Sequence, residues 1–162
     1  MNKIIVCTYD EILLPLKKSE WDVCWDMKIA DDIVVEPGQL ITVWTWVRTY
    51  MPLGWQCRVY ARSSLPVKNG LMLANSVAIF DANFRGEYIM QFYNFTSETI
   101  RFERWTRLTQ MEFAPYYVWD GTYGTSEIPS FELIVDKETY DKFAEMYPSE
   151  RGEWRFWSTG KN

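Results

Sequence analysis

Residues 61–87 read ARSSLPVKNGLMLANSVAIFDANFRGE, and this stretch says most about the fold and chemistry of the chain. Near its start, Arg62-Ser63-Ser64 offers a guanidinium group, two hydroxyl groups and successive backbone N–H groups. If a short helical turn forms near Ser63–Lys68, these donors predict a phosphate site, because guanidinium groups and amides at helix starts both bind phosphate. The alternative is an ordinary helix cap with Arg62 at the surface, since serine is common at caps.

The second half of the stretch places two polar residues around an apolar run. Asn75 and Asp81 flank Val77–Phe80, and this pattern is typical of a buried hairpin. A carboxylate at the end of such a hairpin is partly desolvated and could order a water molecule as a general base. Asp81 could equally be an ordinary turn residue, because Asp and Asn are favoured in turns such as Asp81-Ala82-Asn83. The residues alone leave both interpretations open.

On both sides of this stretch, the chain alternates short apolar segments with turn residues such as Pro37-Gly38. The segments are rich in β-branched and aromatic residues, and no helical pattern separates them. This arrangement favours an all-β sandwich or barrel over alternating strands and helices. The predicted strands are Lys3–Thr8, Ile33–Val35, Leu40–Val47, Gln56–Tyr60, Tyr88–Phe95, Thr99–Phe102 and Leu108–Phe113.

One helix is predicted near residues 137–147. Asp136 can cap its start, and Pro148 follows its end. Between them, apolar residues at helical spacing form one stripe, which predicts a peripheral helix that covers apolar surface. These residues are Tyr140, Phe143, Ala144 and Tyr147. The tail after Gly152 has no periodicity, and such a tail often packs on a neighbouring subunit.

Composition narrows the class of protein. The 162 residues predict one domain, 1–162, and 48% of them are hydrophobic. The net charge of −5 argues against a nucleic-acid polymer as partner, because phosphate backbones bind basic surfaces. The absence of histidine excludes His-dependent triads and His-ligated zinc. Three cysteines without a CxxC pair, no membrane span and no signal segment predict a cytoplasmic protein with free thiols.

Taken together, five motifs resemble those of the deoxyuridine triphosphatase (dUTPase) family, in the family's order. Arg62-Ser63-Ser64 is similar to its second motif, and Asn75–Glu87 is similar to its third. Val23–Met27, Trp105–Gln110 and Arg151–Gly160 resemble the first, fourth and fifth. The resemblance implies an all-β, dUTPase-like distorted jelly-roll or β-barrel of the β-clip type. It also implies a homotrimer with shared active sites and a C-terminal tail, 151–162, exchanged between subunits. The insertion 118–148 falls outside the motifs.

The resemblance also implies roles for single residues. Asp81 would be the catalytic base that orders the attacking water, and Asp26 would contact Mg²⁺ through a water molecule. Attack of the Asp81-ordered water on the α-phosphate would hydrolyse dUTP to dUMP and pyrophosphate, which limits uracil in DNA and supplies dUMP. The implied phosphate-binding residues are Arg62, Ser63, Ser64, Gln110, Arg151, Ser158 and Thr159. The implied uracil- and deoxyribose-binding residues are Asn75, Ile79, Phe84 and Phe156.

The chain departs from the family at several glycines. Trp46, Trp105, Trp154 and Trp157 stand where the family has Gly, and the chain holds 9 Trp but only 8 Gly. Glycine at such positions allows a positive φ or a close backbone approach to phosphate. One hypothesis is that these are UGA codons whose true meaning is glycine. The alternative is a divergent enzyme that has rebuilt its phosphate lid around aromatic rings.

Two other functions stay open at this point. The first is a dCTP deaminase, which shares the fold and the Arg-Ser-Ser motif but needs a Glu where this chain has Gln91. A glutamine cannot serve as the carboxylate base. The second is a non-catalytic nucleotide-binding protein on a dUTPase scaffold, for which the altered lid motif is the best support.

Overall fold

A computed structural model describes residues 2–121 and 127–151, and twelve short strands dominate this part of the chain. The strands are β1 (Lys3–Thr8), β2 (Trp25–Lys28), β3 (Ile33–Val35), β4 (Leu40–Trp44), β5 (Val47–Tyr50), β6 (Trp55–Ala61), β7 (Leu71–Leu73), β8 (Val77–Phe80), β9 (Ile89–Asn94), β10 (Ile100–Phe102), β11 (Arg107–Pro115) and β12 (Ser130–Val135). The helices are α1 (Ser64–Asn69), α2 (Lys137–Asp141) and α3 (Phe143–Met146), with a 3₁₀ turn at Glu11–Leu13.

The strands form four small sheets in a jelly-roll-like arrangement. Their orders are β2-β11-β6-β8, β4-β9-β7, β12-β1-β5 and β10-β3, and in the described part of the chain no sheet closes into a barrel. Alternate side chains point inward to a main core, as expected for strands with one buried face. The largest fully buried side chains of that core include Tyr88, Phe92, Met90, Leu108 and Met111.

Most predicted strands are confirmed, and β1 and β3 have the predicted bounds. The predicted strand Leu40–Val47 is wrong as a single element, because the chain turns at Thr45-Trp46 and divides it into β4 and β5. Trp46 has a φ of +51°, which interrupts an extended chain. The predicted helical turn near Ser63–Lys68 is confirmed as α1.

The prediction of a buried hairpin around Val77–Phe80 is wrong. β8 pairs with β6, whereas the preceding strand, β7, pairs with β9 in another sheet. Ala78 is 7% exposed, whereas Ile79, on the other face of β8, is 60% exposed. The chain therefore crosses from one sheet to another between β7 and β8, and the apolar run of β8 is only half buried.

The insertion packs on β1 through a strand and two helices. β12 runs parallel to β1, with Val6 opposite Leu133. The predicted cap is confirmed, because the Asp136 carboxylate accepts the Thr139 amide. The single predicted helix is wrong: the Lys142 amide bonds to both Glu138 and Tyr140 carbonyls, and the helical ladder stops there. No helix in the described residues is long and apolar enough to cross a membrane.

Candidate active site

A cavity of about 300 Å³ gathers five of the residues that the sequence singles out. Asp26, Arg62, Ser63, Ser64 and Gln110 all line it. They come from three separate parts of the chain, so the fold brings the first, second and fourth motif-like segments together. The other lining residues are Leu16, Lys18, Asp22, Val23 and Cys24.

Strand register explains why these side chains meet. In the sheet, β11 lies between β2 and β6, and Gln110 on β11 is opposite both Asp26 and Tyr60. Arg62 follows directly after β6, and its amide donates to the Leu108 carbonyl at 3.0 Å. Cross-strand partners lie within about 5.5 Å of each other. The ladder itself therefore places the carboxylate, the amide side chain and the guanidinium group side by side.

Two arginines hold the Asp26 carboxylate. Arg62 Nε lies 3.2 Å from Asp26 Oδ1, and Arg107 Nη1 donates to Asp26 Oδ2 at 3.0 Å. Arg62 Nη1 also donates to the Arg107 carbonyl at 3.2 Å. The Asp26 side chain is only 14% exposed, so its charge-assisted hydrogen bonds are shielded from water. The three groups together carry one net positive charge.

Ser63 occupies the position before α1 but does not cap it. Its backbone is helical, and its side chain makes no capping hydrogen bond. The interpretation of Ser63 as an ordinary helix cap is therefore wrong. Ser63 lines the cavity beside Arg62 instead.

A tight turn before β2 forms the opposite wall of the cavity. The Asp22 carboxylate accepts hydrogen bonds from the amides of Lys18 and Ser19, each at 3.0 Å. Cys24 follows on this wall, and burial is the main cause that raises the pKa of its thiol. No sequence pattern singles out Lys18, Asp22 or Cys24 as site residues. Only the tertiary fold brings this turn to Arg62, although Arg107 could have been singled out because it lies inside the fourth motif-like segment.

Asp81 lies away from this cavity. Phe80, the residue before it, is opposite Cys57 in the β6–β8 ladder. Arg62 follows Cys57 by five residues, which corresponds to roughly 16 Å of extended chain. The Asp81 side chain is 56% exposed and forms an ion pair with Arg151, a residue predicted to bind phosphate. One chain therefore presents the predicted base and the predicted phosphate site separately.

Phe84 packs in the main core beside the Asp81 turn. It is 4% exposed, and its ring lies 5.6 Å from Phe80 and 6.4 Å from Tyr88. The Arg151 guanidinium lies over the same ring at 5.4 Å.

The residues predicted to read the base lie near the open edge of β8. Asn75 is exposed in the turn before β8, and Ile79 is exposed on the strand. Because β8 has a paired neighbour on only one side, its other edge presents backbone donors and acceptors. Ser158, Thr159 and Phe156, and the tryptophans at 154 and 157, lie outside the described residues.

The donor set suits a metal that is held mainly by a ligand. In residues 2–121 and 127–151, no three His, Cys, Asp or Glu side chains cluster as metal ligands. Asp22 and Asp26 are the two carboxylates that line the cavity, and the Asp22 carboxylate accepts the Lys18 and Ser19 amides. A site with so few carboxylates fits Mg²⁺ that a polyphosphate chelates, because Mg²⁺ keeps several waters and takes few direct protein ligands.

Comparison with known proteins identifies the class to which this fold and cavity belong. Residues 10–130 match the family model for dUTPase. The deoxyuridine 5'-triphosphate nucleotidohydrolase of Lactococcus lactis is 34% identical over 116 residues, which cover 68% of this chain and 77% of that protein. The chain belongs to the dUTPase family.

Solved structures agree with this assignment. The dUTPase of Streptococcus mutans is 32% identical, with a TM-score of 0.66, and the match covers 70% of this chain and 94% of that one. A mutant dUTPase of Staphylococcus bacteriophage 80alpha, solved with dUpNHpp, is 21% identical, with a TM-score of 0.65. That match covers 99% of this chain and 100% of the phage chain.

Proposed function

We propose that this protein hydrolyses dUTP to dUMP and pyrophosphate by attack of water on the α-phosphate. The observation that carries the proposal is the cavity that joins Arg62, Ser63, Gln110 and Asp26 in a member of the dUTPase family. Hydrolysis of a phosphoanhydride depends on positioning and charge neutralisation, and it does not require histidine.

The cavity supplies donors for the polyphosphate. Arg62, Ser63, Ser64 and Gln110 offer guanidinium, hydroxyl and amide groups from one wall. The Asp26 carboxylate holds the guanidinium of Arg62 in place. A fixed donor loses little conformational freedom when the substrate binds, so its contribution to affinity is larger.

Charge explains the expected need for magnesium. Asp26, Arg62 and Arg107 carry one net positive charge, whereas a triphosphate carries several negative charges. We propose that Mg²⁺ chelated by the phosphates is contacted by Asp26 through water. Bound Mg²⁺ would neutralise the part of the negative phosphate charge that the arginines do not balance. A mutant dUTPase of the S. aureus phage phi11 is known to coordinate a structural Mg(II) ion.

Asp81 is the proposed general base, and it acts on a substrate held by another copy of the chain. Its exposed carboxylate is suited to order a water molecule. The open edge of β8 can read the uracil edge by backbone groups, and Phe84 can pack on the deoxyribose. Because Asp81 and Arg62 lie apart in one chain, the complete site requires a neighbouring subunit.

A homotrimer would supply that neighbour. The sheet β4-β9-β7 has an outward face with several exposed apolar residues, and Leu40 lies opposite Tyr93 on it. Exposed apolar surface of this kind marks subunit interfaces. The apolar members of this face are Leu40, Trp44, Met72 and Tyr93. We propose that it contacts other copies, that Arg151, Ser158 and Thr159 close over the phosphates, and that Phe156 stacks on uracil.

The proposed cellular role is to keep dUTP low, so that uracil stays out of DNA, and to supply dUMP. The proposed location is the cytoplasm, where Cys7, Cys24 and Cys57 would persist as the free thiols found here.

Pyrophosphate release from dUTP with Mg²⁺ tests the proposal, with Asp81→Asn as the matched variant. We expect kcat to fall at least roughly a hundredfold in this variant while nucleotide binding is kept, because proton transfer contributes on that scale. Tight dUTP binding without turnover by the unaltered protein would favour a non-catalytic homologue. Ammonia release from dCTP would indicate a deaminase. Either result contradicts dUTP hydrolysis as the function.

A further inference from the structure

Arg85 is a buried cation that makes its hydrogen bonds to backbone carbonyls around Asp81. It is 4% exposed. Its Nη1 donates to the carbonyls of Ala82 at 2.7 Å and Phe84 at 2.9 Å, and its guanidinium lies over the Tyr50 ring at 4.8 Å. Burial of an arginine is costly unless its donors are satisfied. Here the two carbonyls belong to the turn that begins at Asp81.

The same side chain joins this turn to the insertion. Arg85 Nε donates to the Tyr147 carbonyl at 2.7 Å, directly after α3. Two residues later, the Ser149 hydroxyl donates to the Asn83 carbonyl at 2.6 Å. The segment after α3 is therefore attached along the turn that carries the proposed base.

We propose that Arg85 is a positioning residue for Asp81, and that it couples the insertion to the active site. The inference rests on the proposed function, because it assigns Asp81 a role in turnover. Arg85 touches neither the phosphate cavity nor the reacting atoms. It fixes the direction in which the Asp81 carboxylate leaves the turn.

Arg85→Lys tests this, because lysine keeps the positive charge but lacks the planar guanidinium group that donates to three carbonyls at once. We expect kcat for dUTP to fall roughly tenfold or more, since small displacements of a reacting group are costly. The affinity for inorganic pyrophosphate with Mg²⁺ should stay unchanged, because the cavity lies elsewhere. Asn94→Ala is the control: Asn94 is fully buried and bonds to Val35 and Glu98 carbonyls, away from both sites.

Both variants should melt at a lower temperature, but only Arg85→Lys should lose kcat well below its melting temperature. An unchanged kcat in Arg85→Lys, or an equal loss in Asn94→Ala, overturns the inference. If Arg85→Lys does not fold, Ser149→Ala decides, with an expected loss in kcat of roughly two- to fivefold. An unchanged kcat there also overturns it. Absence of dUTP turnover in the unaltered protein would instead reject the proposed function.

A second inference rests on the backbone of two tryptophans and is independent of the first. Trp46 and Trp105 have φ values of +51° and +69°. Bulky residues avoid this left-handed region, because Cβ approaches a carbonyl oxygen. Among the described non-glycine residues, only Ser76 shares a positive φ. Nine tryptophans and eight glycines are also an unusual ratio, since glycine makes up roughly 7% of ordinary proteins.

Neither backbone can relax out of this region without loss of hydrogen bonds. The Thr106 amide donates to the Glu103 carbonyl, so Trp105 occupies the third position of a type II turn, where glycine is required. The Trp105 amide donates to the Ile29 carbonyl at 2.8 Å. The Trp46 amide donates to the buried Glu87 carboxylate, also at 2.8 Å.

We infer that positions 46 and 105 are glycine in the natural protein, encoded by UGA triplets that its organism reads as glycine. The codons of the gene, and the masses of peptides from the protein in its natural host, test this directly. We expect UGA codons and glycine-containing peptides at both positions. A UGG codon at either position overturns the inference.

Recombinant variants test the conformational basis. Trp105→Gly and Trp105→Ala both remove the ring, but only glycine removes Cβ. We expect the Gly variant to melt higher than the Ala variant, by roughly 2–4 °C. Val34 is the control, because it has a similar exposure of 44% but lies on strand β3, outside the proposed subunit interface. At the control position the Ala variant should melt at a higher temperature than the Gly variant, because glycine destabilises a strand. An Ala variant that melts as high as the Gly variant at position 105 overturns the inference.

Discussion

Asp26 and Arg62 form an ion pair, with Arg62 Nε 3.2 Å from Asp26 Oδ1, inside the cavity that we assign to the polyphosphate. Arg107 holds the other carboxylate oxygen. The carboxylate thus has two effects that oppose each other: it fixes the phosphate-binding arginine, and it lowers the positive charge of the cavity.

Asp26→Asn separates these two effects. Loss of the carboxylate should lower the free energy of unfolding by about 1–3 kcal/mol, because hydrogen bonds to a charged, shielded group are lost. Without Mg²⁺, inorganic pyrophosphate should bind this variant more tightly than the unaltered protein, because Arg62 and Arg107 then carry two positive charges that no carboxylate offsets. With Mg²⁺, this gain in affinity should be smaller. Calorimetric titration measures both. Asp32→Asn, outside the cavity, is the control, and equal pyrophosphate affinities in the two variants would contradict the assignment.

Cys24 offers a chemical probe of the same cavity. Burial raises the pKa of its thiol, so the thiol is protonated at neutral pH and alkylation should be slow. The rate should keep rising with pH beyond the range where an ordinary thiol has fully ionised. Pyrophosphate with Mg²⁺ should protect Cys24. Cys7, whose pKa burial raises to about 12, and Cys57 are buried internal controls.

Peptide mass spectrometry after iodoacetamide treatment measures this labelling. Labelling of Cys24 at the rate seen in the unfolded chain, or without protection by pyrophosphate, would count against the cavity as the polyphosphate site.

Phe143 fixes the insertion to β1. It is fully buried in a small second core with Ile5, Cys7 and Tyr140. Phe143→Ala should lower the free energy of unfolding by about 3–5 kcal/mol, because it leaves a cavity. Met146→Ala, at a 52% exposed position on the same helix, should change it by less than about 0.5 kcal/mol. Thermal or denaturant unfolding distinguishes them, and similar losses would show that the insertion does not depend on this core.

Local sequence patterns predicted much of the fold because they act over short distances. The alternating β1 segment and the Asp136 cap need only their own neighbours, and the structure has both. The break between β4 and β5 could not be predicted by propensity, because nearly every residue of Leu40–Val47 is β-branched or aromatic and so favours a strand. The turn there depends on a positive φ at Trp46, and a tryptophan in the sequence does not predict a positive φ.

The candidate site was likewise predictable only in part from local sequence patterns. Five of the residues that line the cavity were predicted from motifs, although their meeting depends on the register of β2, β11 and β6. The separation of Asp81 from Arg62 could not be read from their spacing in sequence. It follows from the pairing of β8 with β6, which sends Asp81 to the far end of the strand from Arg62.

In the proposed site, one copy of the chain supplies the phosphate cavity and another copy supplies the base. Arg62→Ala and Asp81→Asn proteins should each be nearly inactive, and a mixture refolded together should regain activity. In equal random assembly, roughly a quarter of the sites combine an intact Arg62 with an intact Asp81 from a neighbour. Pyrophosphate release from dUTP by the mixture is therefore predicted to reach about that fraction of the unaltered protein. A mixture that stays at the level of its two parents would contradict the account.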